Sequence, residues 1–280
     1  MSVSMLDSAP RRDFVTIGRD ENARPRRRLW RFPAGLERLL GVVLLIGAWQ
    51  LASSLGFVDE QTLAGPATVL RSGWHLVQDG TLQSAIWVSL RRVLEGVAIG
   101  VPIATALALI AGLSRLGEDV VDAPLQMLRF LPVIGLQPLI VLWFGIGNTA
   151  KVSLIVFGVM FPVYINTFAA IRAIEPRHFE LAHSVGLGRF ATIRRIVLPG
   201  ALPGFLVGLR MAAAVAWLIL VFAEQINATN GIGYLMIHAQ EFFQTEIIVV
   251  GLAVYAVLGL LSDALVRFLE RRTLQWRASR

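Results

Sequence analysis

The chain has 280 residues, of which 55% are hydrophobic and 16% charged, whereas soluble domains carry about 25% charged residues. This composition excludes an ordinary soluble domain and points to an all-α integral membrane protein. The net charge of +7 does not indicate nucleic-acid binding, because the arginines cluster beside apolar stretches rather than along one soluble face. With no cysteine, disulfides, thiolate nucleophiles and zinc–cysteine sites are excluded.

Residues 1–35 are polar and arginine-rich, ending in Arg24, Arg26, Arg27, Arg28, Trp30 and Arg31, and read as a disordered cytoplasmic basic tail with an interfacial anchor. A membrane domain then occupies 36–270, and 271–280 form a second basic end. A hydrocarbon core of about 30 Å needs roughly 20 helical residues, and Leu36 to Leu55 supply the first such stretch. Pro66 opens a helical pattern with Val69, Leu70, Trp74 and Val77 on one side, as in a helix lying on a membrane surface. Val93 to Leu113 form the second span, interrupted by Pro102; Arg91 and Arg92 precede it, one turn from Glu95, so that the charges partly neutralise one another. Val120 to Phe144 form a broken third span, since Pro124, Pro132 and Pro138 each remove a backbone donor and Arg129 lies inside it. Lys151 to Ile171 are the fourth.

The interval from Glu180 to Pro199 is polar, carries arginines and separates two long apolar segments. Pro176 suits a first helical turn and Gly186 a helix end, so 176–185 read as one short helix with Phe179, Ala182 and Val185 sharing an edge. Residues 188–197 read as a second, ended by Pro199 and Gly200. Together they make an elbow. Leu202 to Phe222 are the fifth span, 224–246 a loop containing Asn230 to Tyr234, and Ile247 to Leu269 the sixth. The elbow carries Arg172, Arg177, Arg189, Arg194 and Arg195, whereas the 224–246 loop has no arginine or lysine. The elbow side is therefore read as cytoplasmic, with both termini on it.

Glu180, Leu181, Ala182, Gly186, Ile196, Leu198 and Pro199 resemble the E-A-A, three residues, G, nine residues, I-x-L-P pattern of bacterial ABC importer permeases, departing only at Leu181, where alanine is usual. The resemblance extends over Gly112 to Glu270 through GLSRLGE (112–118), QMLRFLP (126–132), PLIVLWFGIG (138–147), FPVYINT (161–167), LPGALP (198–203) and NGIGYL (230–235). Among permeases for aliphatic sulfonates, taurine and nitrate, the aliphatic sulfonate branch looks closest. The resemblance implies a type I importer fold of about six transmembrane helices in the bacterial inner membrane. It also implies a second permease copy, two ATP-binding cassette subunits that carry the ATP and magnesium, and an extracytoplasmic binding protein. On that reading the elbow at 176–199 is the coupling helix that docks on the ATPase. Gly231, Ile232, Gly233 and Tyr234 face the binding protein at the mouth of the pathway, and the solute moves inward by alternating access.

The residues by themselves leave three classes open: a transporter subunit, a partner-independent channel, or a membrane enzyme. The single lysine, Lys151, stands outside any G-x-x-x-x-G-K-[ST] sequence, so no P-loop exists in this chain. No serine, histidine and carboxylate fall at motif spacing, and His75, His178, His183 and His238 show no usual metal spacing. In the fifth span Gly204, Gly208 and Ala212 recur every four residues, a face expected to pack against protein. Arg210, Trp217 and Glu224 fall on another stripe. With Arg129 they are candidates for the translocation path, the two arginines easing exit of an anion. The competing reading has Arg210 snorkelling to the surface or pairing with a carboxylate.

Overall fold

The computed structural model describes residues 34–57, 59, 62–226 and 228–274. The basic tail anticipated at 1–35 lies outside the described residues except for its last two positions, as do 275–280 of the basic end. The chain divides into two compact units, Met1–Leu45 and Ile46–Arg280. The described part of the first is the beginning of helix α1 (Ala34–Ser54).

The second unit is helical throughout its regular structure. Helix α2 (Pro66–Gln78) starts with proline at its first turn, and Gln50 Oε1 accepts the Ala67 N–H (3.0 Å), filling one of the donors a helix start leaves open. Gly80, at φ +79, turns the chain into α3 (Thr81–Leu113). Asp79 accepts the Thr81 N–H (2.9 Å), a bond that holds its carboxyl below the ordinary carboxylate range. Helix α3 therefore begins twelve residues before the expected span start at Val93, and it runs through Pro102 without a break.

The expected third span is two helices, α4 (Arg115–Leu128) and α5 (Val133–Phe144), bent by 91° at the break between them. Pro132 sits at that break in extended conformation, and Gly145, at φ +77, ends α5. Then come α6 (Asn148–Arg172), α7 (Pro176–Ser184), α8 (Arg189–Gln225), α9 (Ile232–Glu241) and α10 (Thr245–Thr273). Among the described residues α3, α6, α8 and α10 are long and apolar enough to cross a membrane, and the α4–α5 pair counts as a fifth if taken as one span. Helix α1 contributes an apolar stretch, Val43–Ser54, among the described residues.

Two expectations are corrected here. Pro199 and Gly200 do not end the second elbow helix; it continues into the fifth span as α8. A π-turn at Ile193–Val197 widens the ladder just before the proline, so that the Leu198 N–H bonds back to Ile193 and Pro199 enters where its missing donor is absorbed. The same solution recurs in α4, where a π-turn at Glu118–Asp122 precedes Pro124. The 224–246 loop is likewise not plain loop, since it contains α9, with Ile232, Met236 and Ala239 buried.

Helix α6 lies between α3 and α8. In lipid there is little hydrophobic gain from bringing helices together, so close backbone approach and dispersion must do it. Gly100 faces the Val156 carbonyl on α6, while Ala104, Ala108 and Ala111 of α3 are fully buried. From the other side Gly208 meets the Pro162 carbonyl and Val163 Cα, and Ala212 is fully buried. The small-residue face expected on the fifth span thus packs against the fourth. Helix α10 packs on α8, α9 and α2, with Val69, Leu70, Trp74 and Val77 of α2 lining an apolar groove against Val250 and Val254.

Candidate functional site

The elbow is built by its glycine. At the end of α7 the Leu187 N–H donates to the Ala182 carbonyl (2.9 Å) and the Gly186 N–H to that of His183 (3.0 Å), the paired bonds of a Schellman cap with Gly186 at φ +72. This cap fixes the angle between α7 and α8. Ala182 is buried and Phe179 packs on the core, whereas Leu181, Val185 and Phe190 are 62%, 72% and 78% exposed. The expected shared edge is therefore split: Val185 faces outward, away from Phe179 and Ala182. Glu180 and Pro199 are exposed, Leu198 is 44% exposed and Ile196 is half-buried. Arg172, at the entry to the elbow, pairs with Glu118 of α4 (3.1 Å). The result is a corner where exposed apolar side chains stand beside the exposed arginines Arg177, Arg189, Arg194 and Arg195.

At the opposite end of α8, about 39 Å along the helix from Leu198 at 1.5 Å per residue, Glu224 is fully buried. Its carboxylate takes Arg92 Nη1 (2.6 Å), the Ser89 hydroxyl (2.8 Å), the Gly233 N–H (2.9 Å) and the Tyr255 hydroxyl (3.2 Å). Arg92, only 5% exposed, also donates to the Asn230 carbonyl (2.8 Å), to Asn230 Oδ1 (2.6 Å) and to Asn148 Oδ1 (2.8 Å). Ser89 accepts the Ile232 N–H (2.9 Å). A buried ion pair is tolerable only when its remaining donors and acceptors are matched in this way.

The expected neutralisation of Arg91 and Arg92 by Glu95 is thus half right. Arg91 pairs with Glu95 at 2.7 Å, a separation of four residues that turns the helix by only about 40°, while Arg92 lies about 60° to the other side and faces the bundle.

Arg210 is exposed and pairs with Asp263 of α10 (2.6 Å), which also binds Arg267 (2.9 Å). Trp217 is buried, donates its indole N–H to the Ser262 hydroxyl (2.9 Å), and meets the Tyr255 ring edge-on at 6.2 Å. Arg210, Trp217, Asp263 and Glu270 share the lining of one cavity of about 570 Å³. Arg129 is not brought into that cavity; it sits exposed at the end of the α4 helix, over the Phe130 ring. Three of the four candidate path residues therefore lie along α8, in three different settings. Sequence reasoning missed Ser89, Arg92, Asn230, Tyr255 and Asp263 as partners; Arg92 and Asp263 carried a signal, each being a charge set within an apolar helix.

Residues 100–275, more than half of the chain, match the family described as binding-protein-dependent transport system inner membrane component. The chain belongs to this family. The permease is 42% identical over 247 residues to SsuC of Escherichia coli (strain K12), a candidate aliphatic sulfonates transport permease, covering 88% of this chain and 90% of the relative. The corresponding SsuC of Bacillus subtilis (strain 168) is 37% identical, with 87% and 88% covered. The taurine transport system permease protein TauC of Escherichia coli (strain K12) is 32% identical, with 92% and 96% covered. Among solved structures, a chain from the crystal structure of an amino acid ABC transporter with histidines matches with a TM-score of 0.57 at 21% identity, over 71% of the permease and 96% of that chain. This likeness supports the shared fold. The protein is a multi-pass permease subunit of an ABC importer, not its ATPase, and the family implies ATPase and binding-protein partners.

Proposed function

We propose that this permease carries an aliphatic sulfonate, or a closely related small organic anion, into the cytoplasm by alternating access. The observation that carries the solute class is the 42% identity to the SsuC permease over nearly the whole of both chains; taurine and nitrate are the other members of the same solute group. Two permease copies work with two ATP-binding cassette subunits, which hold the ATP and magnesium. The elbow, with Glu180, Leu181, Ala182, Gly186, Ile196, Leu198 and Pro199, is the surface those subunits grip. Its exposed Leu181, Val185 and Phe190 suit a groove on a soluble partner. On the other side of the membrane the turn at Gly231, Ile232, Gly233 and Tyr234 meets the binding protein. The elbow side, with both termini, is cytoplasmic. Arg210 and Arg129 lower the barrier for the anion on its way in, holding it weakly enough for release.

The test is reconstitution of the permease with its ATPase in vesicles, adding the binding protein loaded in turn with ethanesulfonate, taurine or nitrate. Ethanesulfonate should stimulate ATP hydrolysis most strongly and appear inside the vesicles. Stimulation by nitrate or taurine alone moves the solute assignment within the group. Anion flux with no ATPase bound replaces the importer by a channel.

A further inference from the structure

The turn between α8 and α9 is held by side chains from elsewhere in the bundle. Its three inward-facing backbone groups, the Asn230 carbonyl and the N–H groups of Ile232 and Gly233, go to Arg92, Ser89 and Glu224. The packing leaves no slack. A Cβ on Gly231, which stands at φ +115, would lie 2.5 Å from the Glu224 carboxyl, and one on Gly233 would lie 2.6 Å from Glu224 Cβ. Tyr255 of α10 closes the network from a third direction. Three helices therefore dictate one backbone path for this turn, while Thr229 and Asn230 remain exposed. If apolar packing were enough, a charge pair with its desolvation cost would add nothing. What the pair supplies is geometry: donors and acceptors that fit a single conformation.

We propose that Ser89, Arg92, Glu224 and Tyr255 are positioning residues for binding-protein docking, presenting the 229–233 turn in its docking conformation at the membrane surface. This rests on the reading that the turn faces the binding protein. Because Ser89 and Arg92 belong to α3 and Glu224 to α8, the shape of the turn also depends on how these two helices are placed, so docking reads the arrangement of the spans.

The experiment titrates solute-loaded binding protein against the reconstituted permease–ATPase complex and separates the half-saturating concentration from the maximal stimulated ATPase rate. Ser89→Ala and Tyr255→Phe each remove a hydroxyl with its hydrogen bonding and keep the Arg92–Glu224 charge pair, whereas Glu224→Gln keeps the shape but leaves the Arg92 guanidinium with neutral acceptors only. Loss of hydrogen bonds to a charged group predicts a rise in half-saturating concentration of about tenfold for Glu224→Gln, and less for the other two, with the maximal rate retained. A lowered maximal rate with unchanged half-saturation in Ser89→Ala and Tyr255→Phe overturns the proposal and leaves a purely structural network. Thr229→Trp, on the exposed face of the turn, is the control. If it shifts half-saturation while the network variants do not, the positioning role alone is wrong. If Thr229→Trp also leaves half-saturation unchanged, the turn is not the docking surface and both readings fail.

Discussion

At the scale of single residues, Arg92 of α3 and Arg210 of α8 show how burial decides what a charge does. Arg92 is enclosed and fully bonded, so truncating it strands the Glu224 carboxylate without its cation. Arg92→Ala should cost about 3–5 kcal/mol, as for other broken buried pairs, read as a lowered unfolding midpoint of the purified permease. Arg210 is half-exposed, and Asp263 keeps Arg267 if Arg210 is lost. An exposed pair contributes about 0–1 kcal/mol, so Arg210→Gln should leave the unfolding midpoint nearly unchanged. If Arg210 and Arg129 ease anion exit, the double glutamine variant takes up less anion at equal assembly and ATPase activity. Equal uptake would make both residues structural.

At the scale of elements, the elbow depends on one backbone conformation. Nothing lies within 4 Å of a Cβ placed on Gly186, so a side chain there meets no crowding, yet φ is +72. A β-branched residue in the left-handed region costs about 1–2 kcal/mol from the backbone alone. Gly186→Val should therefore distort the α7–α8 corner, lowering transport and ATPase association while membrane insertion persists. Asparagine tolerates this conformation, and Gly186→Asn should retain most of the activity. Full transport by the valine variant would remove the elbow from the coupling role. The π-turns before Pro124 and Pro199 work in the opposite sense, letting a helix continue where proline would otherwise stop it.

At the scale of the whole molecule, the family and the fold fix a permease, and the proposed direction of its insertion rests on arginine placement. In cells, single cysteines at exposed Arg189 in the elbow and exposed Thr229 in the far turn should label from opposite sides of the membrane. A membrane-impermeant thiol reagent applied outside should reach position 229 and not 189. Labelling of 189 from outside would invert the topology and with it the assignment of both partner surfaces.

The long apolar runs, the prolines of the broken third span and the elbow glycine were legible in the sequence, because each acts through local physics: membrane thickness, a missing donor, a positive φ. Gly204, Gly208 and Ala212 were legible for the same reason, since small side chains at four-residue spacing fix which face of a helix can approach another. Tertiary structure decided where that reasoning stopped. Whether Pro199 ends a helix depends on a π-turn that absorbs the missing donor. Whether Arg92 answers to Glu95, three residues away, or to Glu224, on a distant helix, depends on which side of α3 meets α8 and α9. The partners of Glu224 come from three separate stretches of chain, and sequence spacing carries no record of such a meeting; only packing in three dimensions selects it.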